Sequence, residues 1–291
     1  MLAFDRKFGE EFIGSVPNVP GVYRVFSAEG NLIYIGKAKN LRRRLRQYRN
    51  AKRRKKHFKM RAIVREADRI EFEICPSDLE ACLLEARLIQ ELRPKWNVAG
   101  AFHFLYPMVG MKCDGGTFSF CFTTDPGATV FKDFEFHGAY RSRHFTGEAF
   151  FSLMKLLKFV GHPVRGKQVV PKYSYLYSFR QMGPEWLPIW RGFWKGESKT
   201  ALEELILAMV ENAAARRTPK TVQDHLNSLK RFWRHEAVFL ANARKHTQYE
   251  QYPVPQAERD FVFLRYRFHV QDKKSFVNKS KTTTASVGRT I

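Results

Sequence analysis

A chain of 291 residues can bury more than one core, and its length suggests two domains. Lys and Arg number 51 against 28 Asp and Glu, a formal charge of +23, which points to a polyanionic partner and favours nucleic acid over membrane. The opening MLAFDRKFGEEF does not read as a signal peptide and Leu205 to Val210 is far too short for a membrane span; Cys75, Cys82, Cys113 and Cys121 lack zinc-ligand spacing, so reduced thiols in a cytoplasmic protein are expected.

Residues 1–16 read as a lead-in, and Pro17 and Pro20 set the chain extended before GVYRVFSAEGNLIYIGKAKNLRRRLRQY, residues 21–48. Val22, Tyr23, Val25 and Phe26 supply a first strand and Glu29-Gly30-Asn31 a turn. Leu32 to Ile35 supply a second strand, which Gly36 is expected to end. Asn40 is placed to cap a helix from Leu41. A junction between a small sheet and a helix N-terminus, carrying two tyrosines, a lysine and several arginines, is a place to hold a phosphate.

From Lys37 to Lys59 there is no acidic residue. A helix anchored by Phe58, Met60, Ile63 and Val64 would display Arg53, Arg54, Lys55 and Lys56 to DNA phosphates; the alternative is a solvated face. Ile70, Phe72 and Ile74 alternate with charged neighbours, as in a half-buried strand. Ser77 and Glu80 form a capping box for a helix to about Leu92, ahead of Pro94. Within it Glu85 has only Ala81, Cys82, Leu88 and Ile89 as helical neighbours. A carboxylate on such a stripe costs several kcal/mol unless paired or metal-bound, so Glu85 is either the ion-pair partner of an arginine or a metal ligand.

Beyond about residue 100 the character changes. Phe104 to Val109, Thr117 to Thr123 and Val130 to Phe136 read as strands, with Phe118, Phe120 and Phe122 on one face. A helix follows from Thr146 to about Val160, closed by Gly161 and Pro163. Residues 198–247 read as a helical hairpin whose second arm starts at Thr218-Pro219, and Phe261 to Phe268 as a final strand. From Lys273 onward the chain is polar, basic and expected to be disordered.

Gly21-Val22-Tyr23 and Tyr34-Ile35-Gly36, with the continuation Lys37-Ala38-Lys39-Asn40-Leu41, Arg44 and Tyr48, resemble the signature of the GIY-YIG nucleases. Together with Leu84-Glu85-Ala86 and Arg93-Pro94-Lys95-Trp96-Asn97, they resemble the excinuclease C branch of that family, which serves bacterial nucleotide-excision repair. The resemblance is specific over residues 17–98 and looser to about 245, where Phe136 to Ser142 and Trp190 to Met209 contribute; no cysteine cluster and no second nuclease domain are recognisable.

It implies a metal-dependent DNA endonuclease making a single incision in excision repair, with one divalent ion, Mg²⁺ or Mn²⁺, on Glu85. Arg44 would clamp the phosphate, while Tyr23, Tyr34 and Lys37 would orient or deprotonate the water, with Lys37, Arg44 and the metal together lowering the pKa of a tyrosine base. Tyr48 and Asn97 would support the site, and Lys39, Arg42, Arg43, Arg46 and Arg53 to Lys56 would bind DNA. The implied setting is the nucleoid, with damage-recognition proteins as partners.

The expected architecture is α+β: a GIY-YIG nuclease domain over 1–100, a sheet flanked by helices, then an α/β accessory region over 101–270 and a basic tail over 271–291. A non-catalytic DNA-binding module on the same fold, or a structure-specific or mobile-element nuclease, are the alternatives. The first would need the positive charge but not the Glu85 carboxylate.

Overall fold

The computed structural model describes residues 1–52, 54–97, 106–164, 166 and 169–271, and divides the chain into two compact units, Met1–Phe104 and Leu105–Ile291. Both mix helices with antiparallel sheet, an α+β architecture. No helix among the described residues is long and apolar enough to cross a membrane.

In the first unit two short helices, α1 (Ala3–Phe8) and α2 (Phe12–Ser15), precede β1 (Gly21–Phe26) and β2 (Leu32–Ala38). Then come α3 (Leu41–Arg49), α4 (Phe58–Glu66), β3 (Arg69–Ile74) and α5 (Asp78–Leu92). The strands pair antiparallel in the order β2-β1-β3. Alternation along β1 divides the burial. Tyr23 and Val25 pack with Leu41, Leu45 and Tyr48 of α3 and Ile63 of α4, whereas Val22 and Ile35 pack with Ala81 and Ile89 of α5.

Asn40 caps α3 by accepting from the Arg43 N–H at 2.8 Å, and Ser77 caps α5 by accepting from Glu80 N–H at 3.1 Å. Gly36 does not end the second strand. It lies within β2 opposite Tyr23, and a Cβ there would collide with the Tyr23 ring. Gly21 is packed as closely, against the Glu73 carbonyl and the Leu41 side chain. Two residues expected to be buried are open to solvent: Phe58, an expected anchor of α4, and Ile74, from the expected inward face of β3 at the end of an edge strand.

The second unit holds a five-stranded antiparallel sheet in the order β6-β4-β5-β8-β7. Its strands are β4 (Met108–Asp114), β5 (Thr117–Thr123), β6 (Glu135–His137), β7 (His162–Pro163) and β8 (Tyr175–Arg180). Between β6 and β7 lies α6 (Arg143–Leu157), and Phe118, Phe120 and Phe122 all turn into the core that it covers. The remaining helices are α7 (Trp186–Lys195), α8 (Thr200–Val210), α9 (Ala213–Arg217), α10 (Pro219–Phe232) and α11 (Val238–Thr247), with a π-turn, Trp233–Ala237, joining the last two. A final helix, α12, covers 259–271.

Several sequence expectations change here. The expected strand from Val130 to Phe136 is not one strand: Thr129–Phe131 turns tightly, and only Glu135–His137 pairs. The expected strand from Phe104 begins at Met108 in the described part, residues 98–105 lying outside it. Strand β8 went unread. The final strand is a helix, because Val262, Phe263 and Tyr266 recur at helical spacing and seat one face, which outweighs the strand-like preference of its aromatic and branched residues. The second arm of the expected hairpin, α10, packs mainly against α6 instead of α8. The tail expected to be disordered, from Lys273, lies outside the described residues.

Candidate active site

One cleft of about 400 Å³ in the first unit is lined by Tyr34, Lys37, Ala38, Lys39, Asn40, Arg43, Arg44, Gln47 and Glu85. Three elements form it. The end of β2 delivers Tyr34 and Lys37, the first turns of α3 deliver Arg43 and Arg44, and α5 delivers Glu85.

Glu85 is half-buried, and its Oε1 accepts the backbone N–H of Lys37 at 2.9 Å. Burial pushes its carboxyl pKa up, with the Lys37 N–H and the charges of Lys37 and Arg44 offsetting part of the rise. Among the described residues no cation stands at ion-pair distance from it. The Lys37 ammonium is on Asp78 at 2.8 Å, and Arg44 donates to Gln47 at 2.8 Å and to Tyr23 at 3.2 Å. The ion-pair expectation for Glu85 is therefore not met.

Asp78 was missed as a site residue, although it precedes Glu85 by seven residues and so falls on the same helix face. It holds Lys37 at 2.8 Å and Lys39 at 3.4 Å. Burial works against the Lys37 ammonium, but its contacts with Asp78 and Cys82 outweigh that and leave its pKa above the ordinary lysine range.

Tyr23 is fully buried, its hydroxyl 3.0 Å from that of Tyr48. Burial is the largest influence on Tyr23 and raises its pKa well above that of a free phenol; Arg44 and Tyr48 offset only part. Burial raises Tyr48 in the same direction. Neighbouring protein cations thus do not depress Tyr23 as expected, because desolvation of the phenolate is the larger effect. Tyr34 is nearly buried but borders the cleft, and the Lys59 ammonium lies 4.9 Å from its ring centre.

Asn97 is not in the cleft lining. It is buried and bonds both ways to Ile35, accepting its N–H and donating to its carbonyl at 2.8 Å each, as a neighbouring strand would on the open edge of β2. Lys39, Arg43 and Arg44 line the cleft, while Arg46 is exposed outside it. Arg42 is turned back on its own unit, donating to the carbonyls of Val16 at 2.5 Å and Gly14 at 2.9 Å. Arg54, Lys55 and Lys56 are exposed in the turn before α4, and Arg53 lies outside the described residues.

The donor set suits a hard divalent cation that keeps most of its water. Glu85 offers a carboxylate whose charge is poorly solvated, and among the described residues there is no group of three or more His, Cys, Asp or Glu to form a closed cage.

The first unit is similar to known proteins. Residues 19–98 match the UvrC-like GIY-YIG domain. UvrABC system protein C of Rhizobium johnstonii is 44% identical over 88 residues, 30% of this chain and 13% of the relative. The Legionella pneumophila protein of that name is 39% identical over 98 residues, 34% of this chain and 16% of the relative. This chain thus spans about 13–16% of the length of these curated relatives. The N-terminal GIY-YIG endonuclease domain of UvrC from Thermotoga maritima, solved with its catalytic magnesium, is 45% identical, covering 30% of this chain and 91% of that one with a TM-score of 0.26. A tyrosine-to-phenylalanine variant of that domain, also cation-bound, is 44% identical over the same shares with a TM-score of 0.27. Residues 19–98 of this chain belong to the UvrC-like GIY-YIG family.

Proposed function

We propose that this chain is a metal-dependent DNA endonuclease that makes a single incision in excision-type repair. The observation that carries the proposal is Glu85: a half-buried carboxylate without an ion pair among the described residues, sharing one cleft with Tyr34, Lys37 and Arg44. Glu85 would hold one Mg²⁺ or Mn²⁺, which when bound supplies positive charge to the phosphoryl oxygens and to the leaving oxygen.

The protein's own groups then divide the remaining work. Arg44, fixed through Tyr23 and Gln47, presents its fork to the scissile phosphate. Lys37 stays protonated on Asp78 and contributes charge, which makes it a poor base. Tyr23 is sealed in the core with a raised pKa, so it positions Arg44 and Tyr48. Tyr34 Oη, open to the cleft, is left to orient the attacking water and, after giving its own proton to solvent, to take the proton that the water loses. Attack of the water oxygen on phosphorus breaks the bond to O3′, and a proton taken from solvent by the departing oxygen leaves a 3′-hydroxyl beside a 5′-phosphate. Asn97 holds β2, and with it Tyr34 and Lys37, in register.

The second unit and the partner proteins of a repair system would choose where the incision falls. The test is a nicking assay on labelled lesion-bearing, branched and undamaged duplexes with and without Mg²⁺. Mg²⁺-dependent nicking of the lesion-bearing duplex is expected. Absence of cleavage on every substrate would leave a binding module, and preference for the branched duplex would leave a structure-specific nuclease.

A further inference from the structure

Lys59 stands on the second residue of α4, at the end of the acid-free run, and reaches back to the sheet. Its Nζ lies 4.9 Å from the centre of the Tyr34 ring, a cation resting on an aromatic face that borders the cleft. Several other cations of this unit are already committed. Lys37 and Lys39 are on Asp78, Arg49 is on Asp5, and Arg42 is on backbone carbonyls. Lys59 has no carboxylate at ion-pair distance among the described residues.

Its surroundings disfavour an unneutralised ammonium. Partial burial of that end pushes its pKa below the usual lysine range; the Glu85 charge works against this and the Arg44 charge adds to it. Much of the side chain is still open to solvent. A cation fixed on a ring, near a second cation and accessible from outside, is arranged for an anion that arrives with the substrate.

We propose that Lys59 is a DNA-phosphate ligand of this cleft, its ammonium set by the Tyr34 face to hold a backbone phosphate of the strand that lies across Arg44 and Glu85. This rests on the nuclease reading above, and it adds a clamp from α4 to the one that Arg44 supplies from α3. Tyr34 thereby has a second role, as the surface on which the clamp is positioned.

The test uses the full chain and a labelled lesion-bearing duplex. Lys59→Ala, Lys59→Arg and, as a control, Lys220→Ala, exposed in the second unit, are compared with the unaltered protein. In chelator, where no cleavage occurs, Lys59→Ala should flatten the slope of log affinity against log salt by about 0.9, while the other two leave it unchanged. In Mg²⁺, Lys59→Ala should raise the half-saturating DNA concentration about tenfold with little change in the saturated rate, and Lys59→Arg should restore it. A Lys59→Ala slope equal to that of the unaltered protein overturns the proposal. So does a fall in melting temperature shared by both Lys59 variants, which would make the residue structural. If no variant and no unaltered protein nicks DNA, the nuclease reading falls, yet the chelator arm still decides whether Lys59 meets a phosphate.

Discussion

Replacing Glu85 with Gln separates a metal ligand from a structural carboxylate. The substitution keeps the volume and leaves an oxygen to accept the Lys37 N–H now held at 2.9 Å. What changes is the charge. A charge-assisted hydrogen bond becomes a neutral one, a loss of about 1 kcal/mol, while the cost of keeping an ionised group beside Ala81, Cys82 and Ile89 disappears. Because burial raises the Glu85 pKa, ionised Glu85 works against folding once the pH exceeds that pKa, so the two effects oppose each other at neutral pH. Without metal the melting temperature should hold or rise by a few degrees, about 1 kcal/mol being worth roughly 4–8 °C in a unit of this size. Cleavage should behave differently. Loss of about 4 kcal/mol of charge stabilisation in the transition state lowers the rate about 10³-fold. Single-turnover nicking in Mg²⁺, a melt in chelator and duplex binding by anisotropy read the three quantities. A well-folded variant that nicks at the unaltered rate removes Glu85 from the mechanism, and a loss of roughly 3 kcal/mol or more of stability, the cost of stranding a buried partner, would reveal an ion pair after all.

Charge reversal at Arg54, Lys55 and Lys56, together with Arg53, should weaken binding to all duplexes regardless of sequence and flatten the salt slope by about 0.9 for each phosphate no longer neutralised; an unchanged slope would show that these exposed residues face only solvent. A fragment of residues 1–100 should fold by circular dichroism and retain weak nicking, since it holds every cleft residue and both faces of the β2-β1-β3 sheet; a folded but inert fragment would mean that the second unit completes the site. His137 is buried, with Nδ1 3.1 Å from the Tyr252 hydroxyl, and burial pushes its pKa down to about 4. The stability of neutral His137 is therefore fully present above pH 6.5 and is lost as pH falls toward about 4, a contribution on the order of 3 kcal/mol that His137→Phe should remove from an acid-unfolding curve.

Short-range features of this protein follow from the sequence because their causes lie within a few residues. Asn40 and Ser77 cap helices through the third residue onward, Pro94 bars further helix, and Phe118, Phe120 and Phe122 share a face by strand alternation alone. Composition alone misled at 261–268, where aromatic residues fit a strand but the partners that bury Val262 and Phe263 require a helix. Gly36 shows the same limit: glycine permits a bend, yet here its use is to let the Tyr23 ring pass, a need created by pairing across the hairpin.

The site divides along the same line. The resemblance to the GIY-YIG nucleases brought Tyr23, Tyr34, Lys37, Arg44 and Glu85 forward as a set, and helical spacing could have added Asp78. Only the tertiary structure decides what each of them touches. It puts Lys37 on Asp78 across 41 residues, ties Asn97 to Ile35 across 62, lays Lys59 on Tyr34, and turns Arg42 away from the cleft. It also shows burial raising the Tyr23 pKa against the pull of Arg44, because sequence shows which charges are present but not how much water burial removes. Residue types and local geometry are written along the chain, whereas desolvation and the pairing of distant charges exist only once the chain has closed on itself.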